Sequence, residues 1–458
     1  MNNIPEFAKF IIERLNSCGH EAYLVGGCVR DSILGKEPKD WDITTSAKPE
    51  EVEDIFEGSL AVKTVVPTGI EFGTVTIVGV NDHDSYEVTT FRGDIYTPET
   101  GISHKPRTVE FKDNIEEDLS RRDFTMNAIA YDITKKEYID PFNGVADIQN
   151  KYIKCVGDAS KRFKEDPLRM LRAIRFAATL GFDIDMKTKI ELIINSYLIK
   201  NISAERIREE LNKILLEGDL VRIFYERNSN ATEAIFDKII PELIGLQYVL
   251  QNNPYHQYNA LNHSVEATRI IEPELHLKLA ALFHDLGKIS TLTTDENGID
   301  HFYGHGKVSC EIAENILKRL KYDNKTVDKV LRLIKHHDRR IELTNRAIKR
   351  AMRDIGEDIF FDFCLLRYAD ILAQDPKHLK ERIKKVFEIE DRAHMILEAK
   401  DPFNLKDLAV NGDDLIALGF EPGPHIGQIL DILLNHVIEE PNLNEKGFLL
   451  NVAKSYLI

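Results

Sequence analysis

The 458-residue chain has little of what marks secreted, fibrous or membrane proteins. It holds one Trp and five cysteines, Cys18, Cys28, Cys155, Cys310 and Cys364, with no Cys-x-x-Cys pair among them. Neither a disulfide framework nor a zinc finger fits that scatter, and reduced thiols are expected. No apolar run approaches the roughly 20 residues that span a bilayer as a helix, which excludes that mode of insertion. The opening MNNIPEFAKFIIERLNS alternates charged with apolar residues at helical spacing and has no basic stretch leading into an apolar one. It does not read as a secretion signal, so a cytoplasmic protein with no membrane partner is expected. Positive charge is also in deficit, with 60 Lys+Arg against 76 Asp+Glu and a net charge of −16. On average that disfavours a polyanionic partner, but nucleic-acid binding follows local patches rather than the sum.

What the chain has is material for a core. With 43% apolar and 30% charged residues it lies far from disordered composition. At roughly 100–200 residues per domain its length suggests three or four units. From residue 21 to about 150 the pattern is mixed: EAYLVGG reads as a strand entering a turn, and WDITT, TVTIVGV and YEVTTF as further strands. Near residue 160 the texture becomes helical, as in EDPLRMLRAIRFAATLG, where Met170, Ala173, Ile174, Ala177 and Ala178 share a face and Gly181 ends the helix. The fold class expected is α+β, a small mixed-sheet head followed by helical regions. Two segments are locally basic: residues 151–175 carry eight Lys/Arg against three acids, and residues 332–353 eight against two. Such stripes are often only solvated faces.

The segment LVGGCVRDSILGKEPKDWDITTS puts Gly26 and Gly27 directly after a strand and Asp40 and Asp42 on the next. Residues i and i+2 of a strand point to one side, so the two carboxylates can share hard cations. Cations there activate a hydroxyl and neutralise a leaving pyrophosphate. The glycines allow backbone N–H groups to approach phosphate oxygens. Glu87 in YEVTTFR offers a third carboxylate on an adjoining strand. Taken singly, an Asp-x-Asp pair is a solvated strand and Gly-Gly a turn.

Together these residues resemble the nucleotidyltransferase superfamily that includes DNA polymerase β, and GGCVRD…KDWDIT resembles its tRNA nucleotidyltransferase branch, the class II CCA-adding enzymes of bacteria and eukaryotes. LSRRDFTMNAIAYD is similar to that family's second motif, DPFNGVADI to its third, EDPLRMLRAIRF to its fourth and SAERIREEL to its fifth. The resemblance implies transfer of CMP, CMP and AMP from CTP and ATP to the 3′ end of tRNA, with Mg²⁺ at Asp40 and Asp42 and catalysis at Asp40, Asp42 and Glu87. It implies nucleotide binding by Gly26, Gly27, Arg30, Arg121, Arg122, Asp123 and Asn127, guanidinium groups being suited to gripping phosphate oxygens bidentately. Asp140, Gly144 and Asp147 would form the spring-like third motif.

In the fourth motif Glu165, Asp166 and Arg169 sit one turn apart, with Pro167 suited to a first helical position. A carboxylate beside a guanidinium offers an acceptor and donors in one plane, matching the edges of cytosine and adenine but not of guanine or uracil. The resemblance assigns that role to Asp166 and Arg169, supported by Glu165 and Arg172. The alternative is that Asp166 caps the helix while Glu165 and Arg169 pair on the surface. The polar segment 91–111, with Gly93, Pro98, Gly101 and Pro106, corresponds to the family's flexible loop, whose full length favours complete CCA addition. Its His-Lys-Pro departs from the family's usual Arg-His-Pro or Arg-Arg-Pro.

Past residue 250 stand His263, the pair His284–Asp285, His305, the pair His336–His337, and Asp370. Imidazoles and carboxylates suit divalent transition metals. The ordered set resembles the HD phosphohydrolase domain. That resemblance implies a first metal on His263, His284, Asp285 and Asp370, a second on His305 with His336 or His337, and Lys288 at a phosphate. It implies hydrolysis of 2′,3′-cyclic phosphates or nucleotide phosphoesters. Basic residues from Arg332 to Arg353 lie near and offer a hold on the tRNA body. The domains expected are a head at 1–150, a neck at 151–230, a body with the HD site at 231–385 and a tail at 386–458. No obligate protein partner is indicated. Rival readings are a poly(A) polymerase, a specialist adding only CC or only A, and an RNA-binding head serving a working HD enzyme.

Overall fold

Alternating side chains build the N-terminal sheet. The computed structural model describes residues 1, 3–81, 85–95, 108–252 and 257–457. Among the described residues nine strands precede the helical region: β1 (Ala22–Val25), β2 (Asp42–Thr45), β3 (Val62–Gly69), β4 (Thr74–Gly79), β5 (Ser85–Thr90), β6 (Arg92–Ile95), β7 (Thr108–Phe111), β8 (Ala130–Asp132) and β9 (Glu137–Ile139). Seven of them form one sheet in the order β3-β4-β5-β2-β1-β8-β9, while β6 and β7 pair separately. Along β4 the odd residues Val75, Ile77 and Gly79 are buried and their neighbours less so, the period-two pattern of a half-covered sheet. Central β1, AYLV, is buried at every position, as a strand covered on both faces must be.

Two pairings fix the business end of the sheet. β1 runs antiparallel to β2 with Val25 opposite Asp42. β2 runs parallel to β5 with Ile43 opposite Val88, so one step earlier on both strands Asp42 and Glu87 adjoin. The strand expected to hold both Asp40 and Asp42 begins only at Asp42. The reason is its partner: β1 ends opposite Asp42 and the chain turns at Gly26, leaving no ladder for Asp40.

The chain divides into two compact units, Met1–Pro241 and Glu242–Ile458. In the first, a core of Tyr23, Val25, Phe91, Ile115, Leu119, Ala128, Ala130 and Val156 lies under the strand ends. Helix Leu168–Leu180 follows, burying the predicted face Met170, Ala173, Ile174, Ala177 and Ala178 and ending at Gly181 in the left-handed region with φ 71°. Burying each of the larger apolar side chains stabilises the fold by about 1.5–3 kcal/mol.

The second unit is helical apart from the short pairing of Thr293–Thr294 with Asp300–His301. Helices Ala260–Ile270, Leu275–Phe283, His305–Arg319, Asn324–His336 and Phe360–Leu372 carry the histidine and aspartate series at their ends. A separate core of Val410, Leu415, Phe420, Ile429, Leu433, Val437, Leu449 and Ala453 ties the last helices together. The expected α+β class holds. Among the described residues no helix is long and apolar enough to cross a membrane.

Candidate functional site

Where β1 ends, three acids and one guanidinium face each other. Burial pushes the Asp42 carboxyl up from its ordinary pKa, and Glu87 and Asp40 add to this against the pull of Arg122. Gly26 has φ 79°, and a Cβ there would stand 3.0 Å from Arg122 Nη1 and 3.8 Å from Asp42 Oδ2. Its N–H donates to the Ile129 carbonyl at 3.3 Å, so Gly26 serves the site by making room for Arg122 rather than by offering its own amide to a phosphate. Gly27 would tolerate a Cβ, whose nearest neighbour is Arg30 Nη2 at 3.8 Å.

The second motif supplies a tight ionic lattice. Arg30 Nη1 donates to Asn127 Oδ1 at 2.8 Å, and Asn127 Nδ2 donates to Asp123 Oδ1 at 3.0 Å. Asp123 in turn accepts from Arg172 Nε and Nη2 at 2.9 and 2.6 Å. Burial pushes the Asp123 carboxyl up, but Arg172 and Asn127 outweigh it and hold the group well below the carboxylate range. Three guanidiniums, of Arg30, Arg172 and Arg175, lie 5.2, 5.5 and 4.0 Å from the centre of the Phe176 ring.

In the third motif Asp140 accepts from the backbone N–H groups of Gly144 and Val145 at 2.6 and 2.9 Å, while Asp147 accepts from Thr125 at 2.7 Å. In the fourth, helix Ala159–Glu165 stops at Asp166, whose Oδ1 caps the next turn by accepting from Leu168 N–H at 3.1 Å. Arg169 does not pair with Asp166. It donates to Glu165 at 3.0 Å and to the Arg121 carbonyl at 3.0 Å, and Asp166 is held instead by Arg206 of the fifth motif at 2.9 and 3.3 Å. Both features of the alternative reading, the cap and the Glu165–Arg169 pair, are thus present, although Arg169 is buried rather than on the surface.

In the second unit the ordered series converges. His263 Nε2 lies 3.0 Å from Asp370 Oδ1, 3.3 Å from His284 Nε2 and 3.6 Å from Asp285 Oδ2. His305 Nε2 lies 2.9 Å from His337 Nε2 and 3.5 Å from Asp285 Oδ1. Two metal-sized clusters result, His263–His284–Asp285 and Asp285–His305–His337, sharing Asp285. His337, not His336, joins the second.

The Nδ1 atoms of His263, His284, His305 and His337 lie 3.2, 2.8, 2.8 and 2.7 Å from the backbone carbonyls of Ala373, Ala281, Phe302 and Ile334. A carbonyl only accepts, so each Nδ1 carries a proton and each Nε2 points inward, toward the aspartates and the other imidazoles. An inward Nε2 that is unprotonated is placed as a metal ligand, and one that is protonated can donate to Asp370 or Asp285. Burial and the neighbours His284 and His305 push His337 down to about 3. Burial also lowers His284, but Asp285 and Asp370 outweigh it and raise its pKa. Asp285 is pushed up by burial yet held well down by His284 and Lys288, the latter at 2.7 Å. A cavity of about 480 Å³ opens beside the cluster, with Arg339, Arg340, Arg367, Arg382 and Lys385 among its lining residues.

Residues 22–154 match the poly A polymerase head domain, residues 181–243 a probable RNA- and SrmB-binding site of polymerase A, and residues 290–453 a putative tRNA nucleotidyltransferase domain 2. The chain is 32% identical to the CCA-adding enzyme of Streptococcus mutans, over 97% of this chain and 95% of that protein. It is 34% identical to the CCA-adding enzyme of Limosilactobacillus fermentum, over 99% of this chain and 97% of that one. The chain belongs to the CCA-adding enzyme family. Among solved structures, the Bacillus stearothermophilus CCA-adding enzyme in complex with CTP superposes with a TM-score of 0.68 at 29% identity, over 98% of this chain and 96% of that one.

Two further acids, to which the motifs gave no role, pair with these arginines. Asp118 is fully buried against Arg121 and Arg122, and Glu210 receives Arg175 at 2.5 Å. The spacing of Asp118, three and four positions before two arginines, was the available signal. The segment expected to be the family's flexible loop is described only at its ends, β6 and β7; Pro98, Gly101 and the His-Lys-Pro at 104–106 lie outside the described residues. The basic stripe from Arg332 to Arg353 is largely neutralised. Arg332 pairs with Asp328 and Asp358, Arg339 and Arg353 with Asp354, Arg346 and Arg350 with Glu439, and Lys349 with Asp401. These pairs offset much of the charge that a count of bases alone suggests.

Proposed function

We propose that the chain adds CCA to the 3′ end of tRNA without a template, taking CTP and ATP and releasing pyrophosphate. The observation that carries this reading is the meeting of Asp42, Asp40, Glu87 and Arg122 beside the Gly26 turn. Crowded carboxylates with one raised pKa are a hard-oxygen donor set, which fits Mg²⁺. Asp40 and Asp42, with Glu87 beside them, would hold it, and it supplies activation of the terminal hydroxyl and neutralisation of the pyrophosphate charge. In the reaction the hydroxyl oxygen bonds the α-phosphorus as the bond to pyrophosphate breaks. Arg121 and Arg122 grip the triphosphate, and Arg30, Asp123 and Asn127 fix the sugar and phosphate end. Asp166 accepts from the exocyclic amine of cytosine or adenine and Arg169 donates to the adjacent ring nitrogen. Arg206 orients Asp166, and Glu165 orients Arg169. Contacts to tRNA are to backbone and shape, since one enzyme serves every tRNA. In this reading residues 1–150 are the head, 151–230 the neck, 231–385 the body and 386–458 the tail.

Incubation with tRNA lacking its 3′ end and single labelled nucleotides is the test. Three additions in the order C, C, A are expected. An unlimited A tail would select a poly(A) polymerase, CC or A alone a specialist, and no incorporation an RNA-binding head.

A second activity is favoured by the inward-facing Nε2 atoms. In the second unit, His263, His284, Asp285 and Asp370 would hold one divalent transition metal and His305 with His337 another, and bound metal supplies a nucleophilic hydroxide near neutral pH. Lys288 and the cavity arginines would take the phosphate of a 2′,3′-cyclic or nucleotide phosphoester. Hydrolysis of such an ester should depend on added Mn²⁺, Co²⁺ or Ni²⁺; absence of hydrolysis with all three reduces the cluster to scaffold.

A further inference from the structure

Asp118 lies in helix Ile115–Ser120, three and four positions before Arg121 and Arg122, the spacing that brings side chains to one side of a turn. Its side chain is 0% exposed. Oδ1 accepts from Arg121 Nε and Nη2 at 3.0 and 2.8 Å and from the backbone N–H of Arg92, the first residue of β6, at 3.4 Å. Oδ2 lies 3.3 Å from Arg122 Nη2 and 3.5 Å from Thr44 Oγ1. Thr44 follows Asp42 by two on β2 and therefore shares its side of the strand. One carboxylate thus ties together two guanidiniums, the start of β6 and the strand that bears Asp42. Burial pushes its carboxyl up, but Arg122 and Arg121 more than compensate and keep it ionised. Burial lowers the pKa of Arg92, and Arg121 and Arg122 lower it further against Asp94 and Asp118, so loss of the Asp118 charge would leave three neighbouring guanidiniums with Asp94 as their remaining close counter-charge.

We propose that Asp118 is a positioning residue for nucleotide addition: it holds Arg121 and Arg122 in place as a preformed triphosphate clamp beside Asp42 before the nucleotide arrives. This rests on the reading of those arginines as triphosphate ligands. A guanidinium already fixed by a bidentate partner loses little freedom on gripping phosphate, which is where preorganisation gains affinity. CTP and ATP share the triphosphate and differ in the base, so a clamp acts on both alike. It contributes equally to the ground and transition states and so sets KM rather than kcat.

The test uses the full-length protein with Asp118→Asn, which keeps the shape but turns an amide N–H toward the arginines, and Asp118→Glu, which keeps the charge but displaces it. For each, KM and kcat are measured with CTP and with ATP. The expected result is a rise in KM of about tenfold or more for both nucleotides by the same factor, with kcat changed no more than about threefold. In an Arg121→Ala, Arg122→Ala background Asp118→Asn should add no further loss. An unequal change between CTP and ATP, a fall in kcat at constant KM, or additive losses in that background overturns the proposal. Folding is followed by near-UV circular dichroism; if both variants are unfolded at the assay temperature, Asp118 holds the fold and not the clamp, and the proposal falls. Calorimetric binding of CTP is measured in parallel. Should the wild-type chain add no nucleotide at all, the functional reading fails while weaker CTP binding by Asp118→Asn still reports on the clamp.

Discussion

Two acids in the first unit take opposite courses, and their neighbours decide whether desolvation prevails. Asp123 has Arg172 and Asn127 within hydrogen-bond reach and stays ionised, whereas burial raises the pKa of Asp42, with Glu87 and Asp40 adding to it against the pull of Arg122. Asp118 and Asp123 both have folded-state pKa values below the ordinary carboxylate value of about 3.9. A depressed acid contributes stability above its unfolded pKa and loses it as pH falls through the folded value. Unfolding of the protein by urea should therefore become sharply easier below about pH 4, and Asp123→Asn should flatten that part of the pH profile while lowering stability at pH 7. Arg172→Ala leaves the Asp123 charge buried without its main partner and should cost about 3 kcal/mol, read as the shift in urea midpoint. Asp123 and Arg172 were legible as residues because their motifs are local. Their pairing, 49 positions apart, was not, and neither was the capture of Asp166 by Arg206 across 40 positions. Periodicity and spacing constrain one element at a time, while these contacts depend on how elements pack.

Elements meet most closely where a side chain is missing. A Cβ on Gly144 would lie 2.1 Å from the Thr125 carbonyl oxygen, so at this point helix Gly144–Gln149 and the second motif meet backbone to backbone. Gly144→Ala should destabilise by about 3 kcal/mol, visible as a lowered melting temperature, and should reduce nucleotide addition because Asn127 and Asp123 adjoin the displaced backbone. Helix phase was equally informative in the second unit. Val330, Leu333 and Ile334 form the buried face of helix Asn324–His336, and continuing i, i+3, i+4, i+7 selects position 337 over 336. The sequence therefore contained the signal that separates His337 from His336.

Charge along an element was harder to read, because a count of bases does not show which acids approach them. Between residues 151 and 164, Lys151, Lys154, Lys161 and Lys164 are exposed and carry no ion pair among the described residues, unlike the neutralised stripe at 332–353. Changing each of these lysines to Ala should weaken tRNA binding. It should also lower the slope of log affinity against log salt by about 0.7–0.9 for every phosphate contact removed. Arg346→Ala and Arg353→Ala should leave that slope unchanged; the reverse result would place the RNA surface on the paired stripe.

At the scale of the whole molecule, the chain carries two donor sets of different chemistry in two compact units. Carboxylates alone gather at Asp40, Asp42 and Glu87, while imidazoles dominate the set around Asp285. Hard oxygen donors favour Mg²⁺, and mixed nitrogen and oxygen donors favour later divalent metals, so the two proposed reactions should respond to different ions. No residue is shared between the sets. Asp42→Ala should reduce nucleotide addition on the order of a thousandfold and leave metal-dependent phosphoester hydrolysis at its wild-type rate. His284→Ala and Asp285→Ala should abolish hydrolysis and leave the three additions intact. Since the inward Nε2 atoms and Asp285 together form donor sets for a cation, transition-metal addition should also raise the melting temperature of the wild-type protein and not that of Asp285→Ala. A melting point indifferent to metal in both would mean that the histidines pack without an ion, whatever becomes of the nucleotide-adding site.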